Sequence, residues 1–154
     1  MKPHTATVRW DRGEGEAFTD LRFGRGHEWS FDGGTRVRAS ASPDVVPRYA
    51  DPSGIDPEEA FVASLSSCHM LTFLWLAAKA GRIVDRYEDT AEGELERTPE
   101  GRTWMARVTL RPHVTWGTSG PPDPEALATL HHRAHDECFI ANSVRTEVVC
   151  EPVP

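Results

Sequence analysis

The sequence predicts an α+β fold in which antiparallel sheets surround a long buried central helix and a second helix. Three observations indicate this class: period-two alternation near the N-terminus, a stretch at 60–78 without Asp, Glu, Lys or Arg, and a second helix-start signal at 123–125. At 154 residues, with no internal repeat or low-complexity tract, the chain is predicted to form a single domain over residues 1–154.

The N-terminal part is predicted to consist of short strands. Ala6, Val8 and Trp10 alternate with polar residues, which is the period of a half-buried strand. Further strands are predicted at 18–23, 27–31 and 35–40, and the Asp-Gly-Gly at 32–34 predicts a hairpin turn between the last two. Residues 41–57 carry four prolines and are predicted to be a loop.

A long helix is predicted to follow this loop, over residues 57–80. Asp56 and Pro57 are typical of a helix start, Glu59 can complete a capping box with Asp56, and Gly81 is a C-terminal cap. Apolar residues on every side of this helix predict that it is contacted all round. The charge-free stretch is nearly long enough to span a membrane, but its polar centre at 64–69 and the lack of a flanking basic cluster favour burial within protein.

The C-terminal half is predicted to contain a ribbon, a helix and a strand. Alternating residues at 87–96 and 104–111, with a turn at 98–101, predict one two-stranded ribbon whose glutamates pair with arginines across it. Asp123 and Pro124 repeat the helix-start signal, and the second helix is predicted to run to about Cys138. Residues 144–150 are predicted to form the last strand.

Charge and cysteine content limit the classes of function. The chain carries 24 Asp plus Glu against 17 Lys plus Arg, a net charge of −7, which argues against nucleic acid and membranes as partners. No export signal is visible, so we expect a cytoplasmic protein with reduced thiols. Three cysteines are an odd number, which argues against a structural disulfide framework.

The cysteines are the strongest candidates for chemistry. Cys68 lies in the middle of the apolar helix and is predicted to be largely buried, so a reactive thiolate there needs a neighbouring cation. Cys138 is predicted to point toward the core from the second helix, so the two thiols could approach each other, as a two-cysteine redox cycle requires. Cys150 on the last strand is interpreted as an inert core thiol, and His69 as a core or pocket-wall histidine.

Three segments resemble the OsmC/Ohr family, the osmotically inducible protein C and organic hydroperoxide resistance proteins. The run DPEEAFVASLSSC at 56–68 is similar to the family segment that ends in the peroxidatic cysteine. The run AHDEC at 134–138 is similar to its resolving-cysteine segment, and GRG at 24–26 to the segment that carries its activating arginine. The resemblance covers most of the chain and includes both cysteine segments in the family's order.

The resemblance implies a thiol-dependent peroxidase that forms an OsmC-like intertwined homodimer. It assigns Cys68 as peroxidatic, Cys138 as resolving, Arg25 as the cation that lowers the pKa of Cys68, and Glu58 as the residue that orients this arginine. The implied substrate is an organic peroxide, with hydrogen peroxide left open. The implied reductant is an external dithiol of the lipoyl type, and neither a metal nor an organic cofactor is required.

The sequence departs from the family pattern at several points. Phe-Ile-Ala-Asn-Ser follows Cys138 where the organic-hydroperoxide subgroup has Pro-Tyr-Ser, and His69 follows Cys68 where that subgroup has Phe, so the preferred peroxide stays open. Arg36 and Arg38 are rivals to Arg25, and match the strand arginine of the OsmC-like subgroup better.

Helix geometry raises a further question about Glu58. If the first helix is unbroken, Glu58 and Cys68 are about 15 Å apart along it, too far for one arginine to touch both. Either the helix breaks between them, or Glu58 reaches the site by another route. We hypothesise a homodimer in which the glutamate segment and the thiol meet across the interface.

Two other classes of function compete with the peroxidase. A zinc protein is one, because His131, His135 and Cys138 stand at i, i+4 and i+7 and either Cys68 or His69 could complete the site. A ligand-binding module without turnover is the other, supported by the apolar helix and the five tryptophans.

Overall fold

The computed structural model describes all residues from 1 to 154 and confirms the α+β class. It contains eight β-strands, two α-helices and one short 3-10 helix, Ala141–Ser143. The chain forms two compact units, Met1–Ala60 and Phe61–Pro154. The prediction of a single domain over the whole chain therefore stays a prediction.

The first unit contains a three-stranded antiparallel sheet. Its strands are β1 (Ala6–Arg9), β2 (His27–Phe31) and β3 (Arg36–Ala39), with β2 in the middle. The turn between β2 and β3 is confirmed: Gly34 has a φ of 85°, and its N–H donates to the Phe31 carbonyl at 2.9 Å. Every residue of β1 is exposed, so the prediction that this strand is half-buried within the chain is wrong.

The strand predicted at 18–23 is absent. Leu21 has a φ of 65°, a left-handed conformation that ends any extended run there. The aromatic side chains instead pack on one another, with ring centroids 4.5 Å apart for Phe18 and Phe23 and 5.4 Å apart for Trp10 and Phe23. The apolar residues of this segment therefore form a local aromatic cluster and not a sheet face.

The long helix α1 (Pro57–Lys79) begins and ends where the sequence predicts. The capping box is formed: the Glu59 N–H donates to Asp56 Oδ1 at 2.7 Å, and the Asp56 N–H donates to the Glu59 carboxylate at 3.1 Å. At the other end Gly81 has a φ of 71° and the Arg82 N–H donates to the Ala77 carbonyl at 2.9 Å.

The helix α1 buries only one face within the chain. The buried residues share a single stripe: Leu65, His69, Phe73, Leu76 and Ala77. Leu71 and Trp75 are 61% and 52% exposed. Within a single chain, the expectation that α1 is contacted on every side is therefore wrong. By length and composition alone α1 could also cross a membrane, a test that core helices of soluble proteins pass too.

The predicted single ribbon is two ribbons in the structure. β4 (Val84–Asp89) pairs with β7 (Pro112–Trp116), and β5 (Glu92–Arg97) pairs with β6 (Thr103–Leu110), both antiparallel. The break is stabilised by Asp89, whose carboxylate accepts the Arg111 N–H at 2.6 Å and the Ser66 hydroxyl of α1 at 2.5 Å. The Asp89 carboxylate thus takes the place of a backbone carbonyl as the acceptor of a backbone N–H. The alternation of residue types along the sequence does not reveal such a bond.

The predicted turn at 98–101 is confirmed, and the predicted charge pairing is confirmed only in part. Gly101 has a φ of 81°, and its N–H donates to the Thr98 carbonyl at 2.8 Å. Arg111 binds Glu92 of the neighbouring strand at 2.7 Å. Arg107 instead binds Glu147 at 2.9 Å, because the last strand lies on its other side.

The last helix and strand complete the second unit. α2 (Pro124–Asp136) is capped by Asp123, which accepts the Ala126 N–H at 2.9 Å. Cys138 therefore lies two residues beyond the helix, and not at its end as predicted. The last strand, β8 (Glu147–Cys150), pairs with β6 in parallel, so the sheets are mixed rather than wholly antiparallel.

The core of the second unit consists of two apolar clusters, both of which contact α1. One joins Phe73, Leu76 and Ala77 of α1 to Leu130 and Ala134 of α2. The other joins Leu65 of α1 to Val108 and Leu110 of β6. These contacts pack α1 against α2 and against β6, and they fix the position of the helical residues around Cys68.

Candidate active site

Cys68 and Cys138 are neighbours in the second unit. Both are free thiols, Cys68 half-buried in the middle of α1 and Cys138 only 1% exposed. This agrees with the prediction that Cys68 is largely buried, although part of its side chain remains exposed within the chain. The two thiols differ in access, because Cys68 is partly exposed and Cys138 is buried.

The environment of Cys138 keeps its thiol protonated at neutral pH. Burial, and then contact with the Cys68 side chain, raise its pKa to about 11. The Ala141 N–H donates to Cys138 Sγ at 3.4 Å and opposes this shift without reversing it. Cys138 is thus a neutral thiol at neutral pH.

The turn that carries Cys138 is stabilised by the side chain of Asn142, which was not among the predicted site residues. The Asn142 amide donates to the Asp136 carbonyl at 2.7 Å and to the Cys138 carbonyl at 3.0 Å. These bonds satisfy carbonyls left free at the end of α2 and fix the Cys138 backbone. The sequence signal for this role is the asparagine in the Phe-Ile-Ala-Asn-Ser run that follows Cys138.

The arginine candidates lie in the first unit and differ in their partners. Arg25 donates to the Phe23 and Leu21 carbonyls, the latter at 3.3 Å, and its guanidinium carbon stands 3.5 Å from the Phe23 ring centroid. Arg38 forms an ion pair with Asp51, and Arg36 pairs with Glu28 at 3.1 Å. Of the three cations, Arg25 is the one that no carboxylate neutralises.

Arg25 also lines a mostly apolar cavity of about 340 Å³ in the first unit. The other lining residues are Val8, Trp10, Phe23, His27, Ser40, Ala41 and Pro57. A charged group at the edge of an apolar hollow can hold the polar end of a ligand while the walls contact its hydrocarbon part.

Glu58 is the second residue of α1 and is half-buried. Because α1 is continuous from Pro57 to Lys79, a break in the helix between Glu58 and Cys68 is excluded. Glu58 and Arg25 belong to the first unit, whereas both predicted catalytic cysteines belong to the second. Of the four predicted site residues, the structure brings the two cysteines together within one unit.

A second cluster of reactive side chains, which the sequence did not predict as a set, lies in the second unit. His69 Nε2 is 3.2 Å from His131 Nδ1, and Cys150 Sγ is 3.7 Å and 3.6 Å from these two nitrogens. Burial lowers the pKa of each histidine to about 4, so both imidazoles are neutral, and burial raises the pKa of Cys150 to about 12.

The predicted zinc ligands are assembled only in part, because His69 and His131 converge whereas His135 and Cys138 do not join them. Among possible metal ligands, the group whose donor atoms converge is His69, His131 and Cys150. Cys138 instead contacts Cys68, and His135 is outside the converging group. The i, i+4, i+7 spacing predicted one helical face for all three residues, but Cys138 lies beyond the end of α2. Helical periodicity therefore does not set the direction of its side chain.

The fold and these sequence features agree with known proteins. The profile of the family described as OsmC-like protein matches residues 50–152, so the chain belongs to the OsmC-like family and the resemblance found in the sequence is confirmed. An OsmC-like protein of unknown function from Vibrio cholerae is 50% identical, with a TM-score of 0.96 over 99% of this chain and 100% of that one.

More distant solved structures share the fold. An organic hydroperoxide resistance protein OsmC from Legionella pneumophila is 21% identical, with a TM-score of 0.69 over 99% of this chain and 96% of that one. The organic hydroperoxide resistance protein OhrB of Bacillus subtilis is 19% identical, with a TM-score of 0.70 over 99% and 98%. A search of functionally curated proteins found no match.

Proposed function

We propose that this protein is a thiol-dependent peroxidase that reduces hydroperoxides with Cys68. The observation that carries the proposal is the pairing of a partly exposed thiol, Cys68, with a buried thiol, Cys138, at its side. A two-cysteine peroxidase needs this combination, because peroxide must reach the first sulfur while the second stays close enough to resolve it. The names of the Legionella and Bacillus relatives, which refer to organic hydroperoxide resistance, support the substrate class.

The proposed cycle has three balanced steps. The Cys68 thiolate attacks the distal peroxide oxygen, the O–O bond breaks, and the alkoxide leaves as an alcohol after taking up a proton, with Cys68 as a sulfenic acid. The Cys138 thiol then condenses with the sulfenic acid, which forms a Cys68–Cys138 disulfide and releases water. An external dithiol of the lipoyl type reduces this disulfide and is itself oxidised to a disulfide.

Arg25 is proposed as the cation that stabilises the Cys68 thiolate. It is favoured over Arg38 because Arg38 is already neutralised by Asp51, whereas Arg25 contacts only carbonyls and an aromatic ring. A guanidinium keeps its charge when partly desolvated and can bind a thiolate and a peroxide oxygen together. The cavity beside Arg25 is mostly apolar, which favours organic peroxides over hydrogen peroxide.

Glu58 is proposed as the positioning residue for Arg25, in a homodimer. The continuity of α1 keeps Glu58 and Cys68 of one chain about 15 Å apart along the helix, so Glu58 must reach a thiol by another route, for which we propose a second copy of the chain. Support for a second copy comes from Leu71, Trp75 and Phe139, which are 61%, 52% and 83% exposed. Large apolar side chains exposed together are typical of an interface.

The cellular setting follows from this chemistry and from charge. The cycle needs thiols that are reduced at rest, which fits the cytoplasm. The net charge of −7 disfavours nucleic acid and anionic membranes as partners. The partners we propose are therefore a peroxide, a dithiol and a second copy of the chain.

The proposal is tested by titrating reduced protein with cumene hydroperoxide and measuring intact mass. The native chain should lose two hydrogens per equivalent of peroxide and regain them with dihydrolipoamide. Cys138→Ser should gain one oxygen and, with excess peroxide, more. Cys68→Ser should do neither, and Cys150→Ser should behave as the native chain does. Peroxide consumption that survives in Cys68→Ser, or binding without turnover, would show a different nucleophile or a ligand-binding module.

A further inference from the structure

The cluster of His69, His131 and Cys150 has the dimensions of a metal site. Zinc binds imidazole nitrogen at about 2.0 to 2.1 Å and thiolate sulfur at about 2.3 Å, and tetrahedral geometry then separates two nitrogens by about 3.3 Å and a nitrogen from the sulfur by about 3.6 Å. The observed separations are 3.2 Å between the nitrogens and 3.6 and 3.7 Å to the sulfur. All three edges of the ligand triangle therefore match within about 0.2 Å.

Hydrogen bonding alone does not account for this triangle. Each imidazole nitrogen presents either one hydrogen or one lone pair, so each can form a single directed bond. At most two sides of the triangle can then be hydrogen bonds, although all three are short. An ion at the centre uses the lone pairs of His69, His131 and Cys150 at the same time.

The surroundings suit an ion with one open position. His69 and His131 are 1% and 5% exposed, and the three ligands come from α1, α2 and β8, so the packing of three elements fixes them. A cavity of about 410 Å³ is lined by His131 and Cys150, so the fourth position of a tetrahedron can face it and hold water. Nearby, the buried hydroxyl of Tyr87 has no hydrogen-bond partner, and a buried donor is stabilised by an anionic sulfur in its vicinity.

We propose that His69, His131 and Cys150 form a binding site for a thiophilic divalent cation, zinc above all, with water in the fourth position. Two imidazoles and one thiolate are the ligand set that zinc prefers, whereas magnesium and calcium require oxygen. Binding displaces the Cys150 proton to solvent and joins α1, α2 and β8 through one ion. The site contains neither Cys68 nor Cys138, so it does not depend on the proposed peroxidase cycle.

The test is metal titration of the chelator-treated full chain. Zinc should bind one ion per chain and raise the melting temperature, and cobalt should give a thiolate-to-cobalt absorption band in the near ultraviolet. Cys150→Ser should lose this band and weaken zinc binding by at least about 100-fold. Circular dichroism of the metal-free variants checks that they fold.

Two control variants test whether zinc binds at this site rather than at other histidine or cysteine side chains. His132→Ala removes the exposed neighbour of His131, which pairs with Asp136 at 3.4 Å, and should bind zinc as the native chain does. Cys138→Ser should also leave binding unchanged. The proposal is overturned if the native chain binds no zinc or cobalt, if Cys150→Ser keeps the band, or if Cys138→Ser abolishes it.

Discussion

At the scale of single residues, the two neighbouring thiols have opposite environments. Cys68 is half-buried, whereas Cys138 is buried and its pKa is raised to about 11. Because Cys138 is buried and its thiol stays protonated, it is poorly suited to the first attack, which the proposed cycle assigns to Cys68. In the proposed cycle Cys138 is a neutral thiol that reacts only after Cys68 has been oxidised.

The raised pKa of Cys138 predicts an unusual pH profile for its alkylation. A thiol is alkylated as the thiolate, so the rate at Cys138 should stay low at pH 7 to 9 and rise only as the pH approaches about 11. Mass mapping of iodoacetamide adducts over a pH series measures each cysteine separately. A Cys138 rate that levels off below about pH 9 would contradict the burial argument.

The proposed role of Arg25 predicts a change in the acidity of Cys68. Removal of an opposite charge next to a thiolate raises the thiol pKa by about 1 to 3 units, so Arg25→Ala should shift the alkylation profile of Cys68 upward by about that amount. Arg38→Ala is the matched control, because Arg38 is paired with Asp51. If only Arg38→Ala shifts the profile, the two arginines must exchange roles.

At the scale of elements, the helix starts are set by hydrogen bonds from side chains close in sequence, whereas the strand ends are set by hydrogen-bond partners far away in the chain. Asp56 and Glu59 bond each other's N–H groups at the start of α1, and Asp123 caps α2. These signals lie within a few residues of each other, so the sequence predicted both helix starts. The break between β4 and β5 depends on Asp89, which accepts from Ser66 and Arg111, more than twenty positions away in each direction.

The two helix caps predict measurable contributions to stability. Asp56→Ala and Asp123→Ala should each lower the free energy of unfolding by about 1 kcal/mol, because an N–H in the first turn of each helix loses its side-chain acceptor. Asp44→Ala is the control, since Asp44 is exposed in the loop before α1 and its side chain caps no helix. Urea denaturation followed by circular dichroism measures the difference. A loss at Asp44 equal to that at Asp56 would contradict the capping account.

At the scale of the whole molecule, α1 is more apolar than one chain can cover. Its core stripe packs against α2 and β6, yet Leu71 and Trp75 on its other face are 61% and 52% exposed, and the nearby Phe139 is 83% exposed. All four residues of β1 are exposed as well. A second copy of the chain would remove this apolar surface from water and account for a helix that is apolar on every side.

The homodimer proposal predicts that a charge on this surface separates the subunits. Trp75→Glu buries a carboxylate at the proposed interface, so light scattering should show a dimer for the native chain and a monomer for the variant. Val45→Glu is the matched control, because Val45 is 59% exposed in the loop of the first unit. Peroxidase activity should fall with dissociation if Glu58 acts across the interface. A native chain that is monomeric and active would contradict the proposal.

The fold class, both helix starts, the turns at 32–34 and 98–101 and the family could be predicted from the amino-acid sequence, because they depend on residues close together in the chain or on ordered motifs. Tertiary structure alone decided that Cys68 is the more accessible thiol, that the ribbon breaks at Asp89, and that Cys150 joins His69 and His131. Cys150 and His69 are 81 positions apart, and helical or strand periodicity gives the direction of a side chain but not the element it faces. Which elements face one another is set by the packing of the whole core.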